Sequence, residues 1–226
     1  MEKVYFVSGI DTGVGKTIAT GLMARFLRER GIDAITVKMV QTGNDGFSED
    51  IDEHRRICGL GSFPEDALGY SAPQIFRFPA SPELAARLEG RQVDTRRILE
   101  GVAKCAEGHD TVLVEAAGGL AVPLTKGVLS IDFAAAQGWP TILVTCGRLG
   151  SINHTLLSLE AIVARGIPLA GVAYNWCEGV DPTIDEDTPA AIRDWLDRRG
   201  CASPLVRIPK FDSTLQGVDF SPFFLP

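Results

Sequence analysis

The chain is poor in the residues that build metal cages and disulfide frameworks. It holds three histidines and five cysteines in 226 residues, and no Cys-x-x-Cys pair occurs. That excludes the usual spacings of a structural zinc site. Five is odd, so a complete disulfide framework is not expected, and a reducing cytoplasm suits Cys58, Cys105, Cys146, Cys177 and Cys201. Cys105 and Cys146 lie in apolar segments and are expected as small core residues. No apolar run approaches the ~20 residues that span a bilayer. Met1-Glu2-Lys3 leads straight into a strand-like run, without the layout of a signal peptide. A cytoplasmic protein without membrane contact is expected. Positive charge is short as well: 22 Lys and Arg stand against 29 Asp and Glu, a net charge of −7. That balance argues against a general binder of nucleic acid or anionic membrane, though not against a local basic pocket. Linkers, composition breaks and internal repeats are also missing, so residues 1–226 read as one domain.

What is present is a loop rich in glycine. Val4-Tyr5-Phe6-Val7 reads as a buried strand and is followed by Ser8-Gly9-Ile10-Asp11-Thr12-Gly13-Val14-Gly15-Lys16-Thr17. A helix-like run from Ile18 to Arg30 comes next. Strand, glycine loop, Lys-Thr and helix form the arrangement that cradles nucleotide phosphates. Glycines let several backbone N–H groups turn inward at an anion, and the positive end of the helix faces the same spot. Lys16 adds a full charge near the β- and γ-phosphates, and the Thr17 hydroxyl suits Mg²⁺. Five residues, Ile10 to Val14, separate Gly9 from Gly15, where the usual pattern has four.

Strand-like and helix-like segments then alternate. Strands are expected over Lys3–Ser8, Ala34–Val40, Thr111–Glu115, Pro140–Cys146, Ile167–Asn175 and Pro204–Ile208. Helices are expected over Thr17–Arg30, from the acidic stretch Ser48–Glu53 to Ile57, from Ser81-Pro82, from Asp94 to Cys105, and over Ser130–Gln137. Two more are expected, from Ile152 or Asn153 to Ala164, and from Thr188-Pro189 to Gly200. Gly59–Ala80 reads as an irregular excursion. The pattern implies an α/β fold of the P-loop NTPase type, with a mostly parallel sheet and helices on both faces.

In such sheets ligands bind beyond the carboxyl ends of the strands. Lys38, Glu115, Thr145-Cys146 and Asn175 end four of the expected strands, on the edge where a nucleotide held by Lys16 would lie. Glu115, after Val112-Leu113-Val114, stands where a metal-binding acid would, and Mg²⁺ shared with Thr17 is the expected partner of its buried charge. Lys38 at the end of an apolar strand is a second cation for a γ-phosphate or a developing anion. Asp50, Asp52 and Glu53 open a helix, and one of them can reach the metal. His154 is expected to be partly buried at a helix start, and His54 and His109 carry no signal.

These residues resemble the dethiobiotin synthetase family over almost the whole chain. The resemblance rests on Gly9 to Thr17 with its extra residue, on Lys38 with Gln41-Thr42-Gly43, and on Ser81-Pro82. It continues through Val114-Glu115-Ala116-Ala117-Gly118-Gly119, Leu149-Gly150-Ser151-Ile152-Asn153-His154, Leu169-Ala170-Gly171 to Asn175, and Ile208-Pro209. The family implies an ATP- and Mg²⁺-dependent cyclo-ligase that carboxylates 7,8-diaminononanoate with CO₂ or bicarbonate and closes a ureido ring, in biotin synthesis. By resemblance, Lys38, Lys16 and Thr12 are catalytic, and Thr17, Asp50 and Glu115 bind the metal, with Asp52 as the alternative to Asp50. Gly13, Val14, Gly15, Lys16, Thr17, Ile18, Asp50, Glu115, Ala116, Ala117 and Gly118 bind ATP. Asn175 and the Pro209-Lys210-Phe211 turn hold adenine, and Trp176 also binds ATP. Thr42 meets the diamine, and Gly150, Ser151, Ile152 and Asn153 of a neighbouring subunit bind its carboxylate, which implies a homodimer. Ala116 replaces a usual glycine and is expected to forbid a positive φ there and crowd the site. The tail after Phe211 is unlike the family. A cobyrinate-type amide ligase is set aside because this chain has no room for a glutaminase domain. A partitioning ATPase of the MinD or ParA kind is the alternative, although Gly9-Ile10-Asp11 lacks the extra lysine of that group.

Overall fold

The computed structural model describes residues 3–211 and 217–224. From the amino terminus, β1 (Val4–Gly9) runs into α1 (Lys16–Arg28), β2 (Ala34–Lys38), β3 (Gln41–Thr42) and α2 (Glu49–Cys58). Then come α3 (Pro64–Ala67), β4 (Ile75–Phe76), α4 (Pro82–Leu88), α5 (Thr95–Gly108) and β5 (Thr111–Gly119). A hairpin of β6 (Pro123–Thr125) and β7 (Val128–Leu129) precedes α6 (Ser130–Gln137) and β8 (Thr141–Cys146). The chain continues through α7 (Ser151–Ala164), β9 (Leu169–Asn175), α8 (Pro182–Arg198), β10 (Leu205–Ile208) and α9 (Ser221–Phe224).

Six strands form the central sheet in the order β10-β9-β8-β1-β5-β2, and every pairing is parallel. The alternation of side chains along each strand explains why both faces are covered. Phe6, Val112, Val114, Leu143 and Val172 point to one core, with Ile98 of α5, Ile131 of α6, Leu159 of α7 and Ile192 of α8. Tyr5, Val7, Leu113, Ile142 and Val144 point to the other, with Leu22, Met23 and Phe26 of α1. The Pro- and Phe-rich tail, unassigned from sequence, joins this second core. Phe220, Phe223 and Phe224 are buried there, Phe224 edge-on to Tyr5 at 5.0 Å and Phe220 edge-on to Phe26 at 5.8 Å. Gly171 leaves room for it, since a Cβ there would lie 2.2 Å from the Phe223 ring. Gly171→Ala is expected to destabilise the fold by about 1–3 kcal/mol through overpacking, read as a lower urea midpoint.

Three segments differ from their expectation. Strand β5 continues past Glu115 to Gly119, because Gly119 pairs with Gly9 after a register shift. Within the Gly59–Ala80 excursion, α3 and β4 are regular, and the stretch is bonded along the continuation of β2: Lys38 N donates to Ser71 O and Gln41 N to Gln74 O. Helix α8 begins at Pro182 rather than Thr188, with Asp181 accepting from Thr183 N at its N-cap. Pro189 therefore lies inside the helix, where it cannot donate to Asp185 O. That carbonyl is satisfied instead by Arg207 Nη2 at 2.7 Å and the Tyr174 hydroxyl at 3.3 Å. No helix among the described residues is long and apolar enough to cross a membrane.

Candidate active site

The glycine loop leaves β1 at the carboxyl edge of the sheet. Gly15 caps α1 in the left-handed region, φ 84°, and packs against Asn175 at the end of β9, whose Nδ2 donates to Val14 O at 3.2 Å. Lys16 is buried and its Nζ donates to Asp11 O at 2.8 Å inside the loop. Asp11 in turn pairs with Arg148, which ties the loop to the β8–α7 connection. Burial pushes the Lys16 pKa down to about 8, with Lys38 acting in the same direction and Glu115, Asp50 and Asp11 opposing it. An anion arriving at the loop would favour the charged form.

Lys38 and Glu115 stand opposite one another in the parallel pairing of β2 with β5, at the centre of a buried polar cluster. Lys38 Nζ lies 2.7 Å from Glu115 Oε1 and 2.6 Å from Asp50 Oδ2. It also donates to Ala116 O at 3.3 Å. Thr17 Oγ1 donates to Asp50 Oδ1 at 2.6 Å and approaches Glu115 Oε1 at 3.3 Å. Asp50 reaches the cluster because α2 is docked at its start. Ser48 accepts from Ile51 N as N-cap, and its hydroxyl donates to Gln41 Oε1 at 2.6 Å. Asp52, two residues on, is exposed on the outer face. Burial opposes the charges on Lys38 and Glu115. Mutual attraction outweighs it, so the Lys38 pKa is raised and the Glu115 carboxyl is held below the ordinary carboxylate range.

Around this centre the remaining residues divide into two groups. Thr12 and Gly13 are exposed at the loop tip, Val14 is buried, and Ile18 is half-buried in the first turn of α1. Ala116 and Ala117 are buried in β5, and no residue other than glycine has a positive φ among the described residues. The expected backbone penalty of Ala116 therefore does not arise: the left-handed residue is Gly118, φ 72°. Trp176, Pro209 and Lys210 line a cleft of about 390 Å³ beyond β9 and β10, with Lys210 Nζ 4.8 Å over the Trp176 ring. Phe211 has Arg56 over its ring at 5.6 Å. Thr42 lies farther out, in the small β3–β4 sheet. Gly150, Ser151, Ile152 and Asn153 form the start of α7, and Ser151 Oγ is buried there without a hydrogen-bond partner. His154 is exposed, not partly buried as its sequence position implied.

Sequence reasoning passed over His54. It is fully buried, with Nε2 2.9 Å from Glu115 Oε2 and Nδ1 3.0 Å from Thr36 Oγ1. Its signal was its spacing. Asp50 and His54 are four apart on one helix, hence on one face.

A parallel sheet whose first strand enters a glycine loop, with a buried lysine and a threonine opening the next helix, defines a nucleotide-binding protein of the P-loop NTPase class. A family model described as an AAA domain matches residues 3–201. The solved structure of the cell division protein FtsY from Thermotoga maritima superposes with a TM-score of 0.55 at 15% identity, covering 99% of this chain and 67% of that one. That likeness concerns the fold alone. The ATP-dependent dethiobiotin synthetase BioD of Chlorobaculum tepidum is 44% identical over 97% of this chain and 90% of its own length. The ATP-dependent dethiobiotin synthetase BioD 2 of Haemophilus influenzae is 49% identical over 77% of this chain and 92% of its own. The chain belongs to the ATP-dependent dethiobiotin synthetase family.

Proposed function

We propose that the protein closes the ureido ring of dethiobiotin from 7,8-diaminononanoate, CO₂ and ATP, releasing ADP and phosphate, as a biosynthetic enzyme of the cytoplasm. The observation that carries this reading is the pair of buried lysines, Lys16 and Lys38, at one strand edge of a chain this similar to named synthetases. One amine of the substrate takes up CO₂ as a carbamate. A carbamate oxygen then attacks the γ-phosphorus of ATP, and the second amine attacks the resulting mixed anhydride and expels phosphate. Two anions must meet in the second step. Lys16 and Lys38 oppose their repulsion and fix their approach, which is where electrostatic positioning lowers a barrier most. Thr12, at the loop tip, lies within reach of the reacting groups.

The donor set suits Mg²⁺. Thr17 Oγ1, Asp50 Oδ1 and Glu115 Oε1 are hard oxygen ligands drawn together around one hydroxyl. Two carboxylates and a hydroxyl leave the rest of the coordination sphere to phosphate oxygens and water, which suits Mg²⁺. When bound, the ion neutralises charge on the β- and γ-phosphates. Asn175, Trp176, Pro209, Lys210 and Phe211 hold the adenine side, of which Trp176, Pro209 and Lys210 line the cleft beyond β9 and β10. Thr42 meets the diamine. Gly150 to Asn153 of a second copy accept the substrate carboxylate, a role supported by the unpartnered Ser151 hydroxyl at the helix start. Leu149 and Leu157, 89% and 62% exposed beside that start, suit a homodimer contact. Residues 1–226 act as one domain. The partitioning-switch alternative is not favoured by the relatives.

Phosphate release from ATP is expected only when the diamine, bicarbonate and Mg²⁺ are all present, with dethiobiotin appearing by mass spectrometry. Steady hydrolysis without the diamine, and no dethiobiotin, would overturn the assignment.

A further inference from the structure

Behind the Lys38–Glu115 pair a chain of polar groups, buried except for the half-buried Asp66 at its outer end, runs away from the reaction edge. Asp66 holds Arg55 through two bonds, Nε at 3.0 Å and Nη2 at 2.7 Å. Arg55 Nη1 donates to Thr36 Oγ1 at 2.7 Å, which leaves the Thr36 hydrogen free for His54 Nδ1 at 3.0 Å. A carboxylate only accepts, so the hydrogen facing Glu115 sits on His54 Nε2. Each oxygen of Glu115 thus has its own partners. Oε2 takes His54, and Oε1 takes Lys38 and Thr17.

Both side chains in the His54–Glu115 contact are fully buried. A leucine would fill the His54 position without desolvating two ring nitrogens, and burying such groups is costly unless they are bonded. Packing alone does not explain the residue. It also sits one turn after Asp50, so a single helix supplies an outer carboxylate and an inner clamp on its partner.

We infer that His54 is a positioning residue for Glu115: by fixing Oε2 it locks the carboxylate plane and presents Oε1 to Thr17, Lys38 and the metal. This rests on the reading of Glu115 as a metal ligand. The clamp acts through Glu115 and touches no reacting atom. Groups of this kind orient the ligand they hold, and their loss weakens metal binding by about 10–100-fold.

The test is Mn²⁺ affinity by electron paramagnetic resonance with ATP bound, for the full chain carrying His54→Leu, His54→Gln or Glu115→Gln. His54→Leu is expected to weaken Mn²⁺ about 10-fold or more, and to raise the Mg²⁺ concentration needed for half-maximal rate more than it lowers kcat. His54→Gln, whose amide supplies an N–H at a similar reach, is expected to recover most of that loss. Unchanged Mn²⁺ affinity in folded His54→Leu, beside a clear loss in Glu115→Gln, makes His54 an ordinary core histidine. Unchanged affinity in Glu115→Gln overturns the ligand reading itself and the inference with it. If His54→Leu does not fold, nitrogen-15 NMR of the unmodified protein decides. An Nε2–H that is slow to exchange and moves in Glu115→Gln supports the clamp, and a ring hydrogen on Nδ1 alone refutes it.

Discussion

Lys38→Gln is expected to lower kcat by on the order of 10²–10³-fold, the loss seen when one preorganised donor to a developing charge is removed. Its effect on ATP affinity is expected to be far smaller, because the loop backbone and Lys16 still face the phosphates. Stability must fall as well. Lys38 Nζ is the ammonium between Asp50 and Glu115, and Glu115 is wholly buried. Removing one partner of a buried pair costs about 3–5 kcal/mol when the other stays charged. Proton uptake by Glu115 reduces that cost.

The double variant Lys38→Gln with Glu115→Gln separates the two roles. Two amides can hydrogen-bond where the ion pair stood, so most of the lost urea stability is expected to return. Turnover is not expected to return with it. Calorimetric ATP binding and single-turnover phosphate release on both variants make the comparison. Should ATP binding collapse in folded Lys38→Gln while saturated turnover persists, Lys38 is a nucleotide ligand and not the group that steadies the carbamate.

How far the sequence reveals this site depends on how local each part is. The glycine loop is contiguous and needs no partner to be seen. Lys38 and Glu115 are 77 positions apart, yet both end apolar strands, and the rule that parallel strands gather ligands at their carboxyl ends brings them together. The pairing confirms that they are opposite each other. His54 was not legible in this way. Its partners lie on β2 and β5, and its spacing of four from Asp50 marks it as inward-facing only once Asp50 is known to face the site, which Ser48 decides by setting the helix phase. Asp66, which anchors Arg55, lies in the excursion after Gly59, a run of local turns that is tied to the rest of the fold through Ser71, Gln74 and Phe76, which accept from Lys38, Gln41 and Gly43. The start of α8 was misplaced for a different reason. Asp181-Pro182 and Thr188-Pro189 both carry a cap-then-proline signal, and only Arg207 and Tyr174, from neighbouring strands, make the second proline tolerable inside a helix. The aromatic tail was opaque because α9 has four residues and is held by packing, not by helical periodicity.

Gly15→Ala is expected to weaken ATP binding much more than Gly13→Ala, and the difference measures what Asn175 does. Both glycines are left-handed, with φ 84° and 67°. Alanine at either position costs about 1–2 kcal/mol for that geometry. At Gly13 nothing else opposes it, since no atom lies within 4 Å of the added carbon. At Gly15 that carbon would lie 1.8 Å from Asn175 Nδ2 and 3.0 Å from its Cγ. Asn175 must then swing away, which breaks its bond to Val14 O and shifts the residue proposed to meet adenine. A lost neutral hydrogen bond adds about 1 kcal/mol, so the Kd for ATP is expected to rise by roughly 30–150-fold for Gly15→Ala. Gly13→Ala stays nearer 10-fold. Adding Asn175→Ala to Gly15→Ala removes the clash but neither the left-handed strain nor the loss of the bond to Val14 O, so the Kd should stay near the Gly15→Ala value. Equal losses at the two glycines would mean that the contact between β9 and the loop is passive packing. A graded series would place Asn175 as the strut that sets the loop's shape for phosphate on one side and the base on the other.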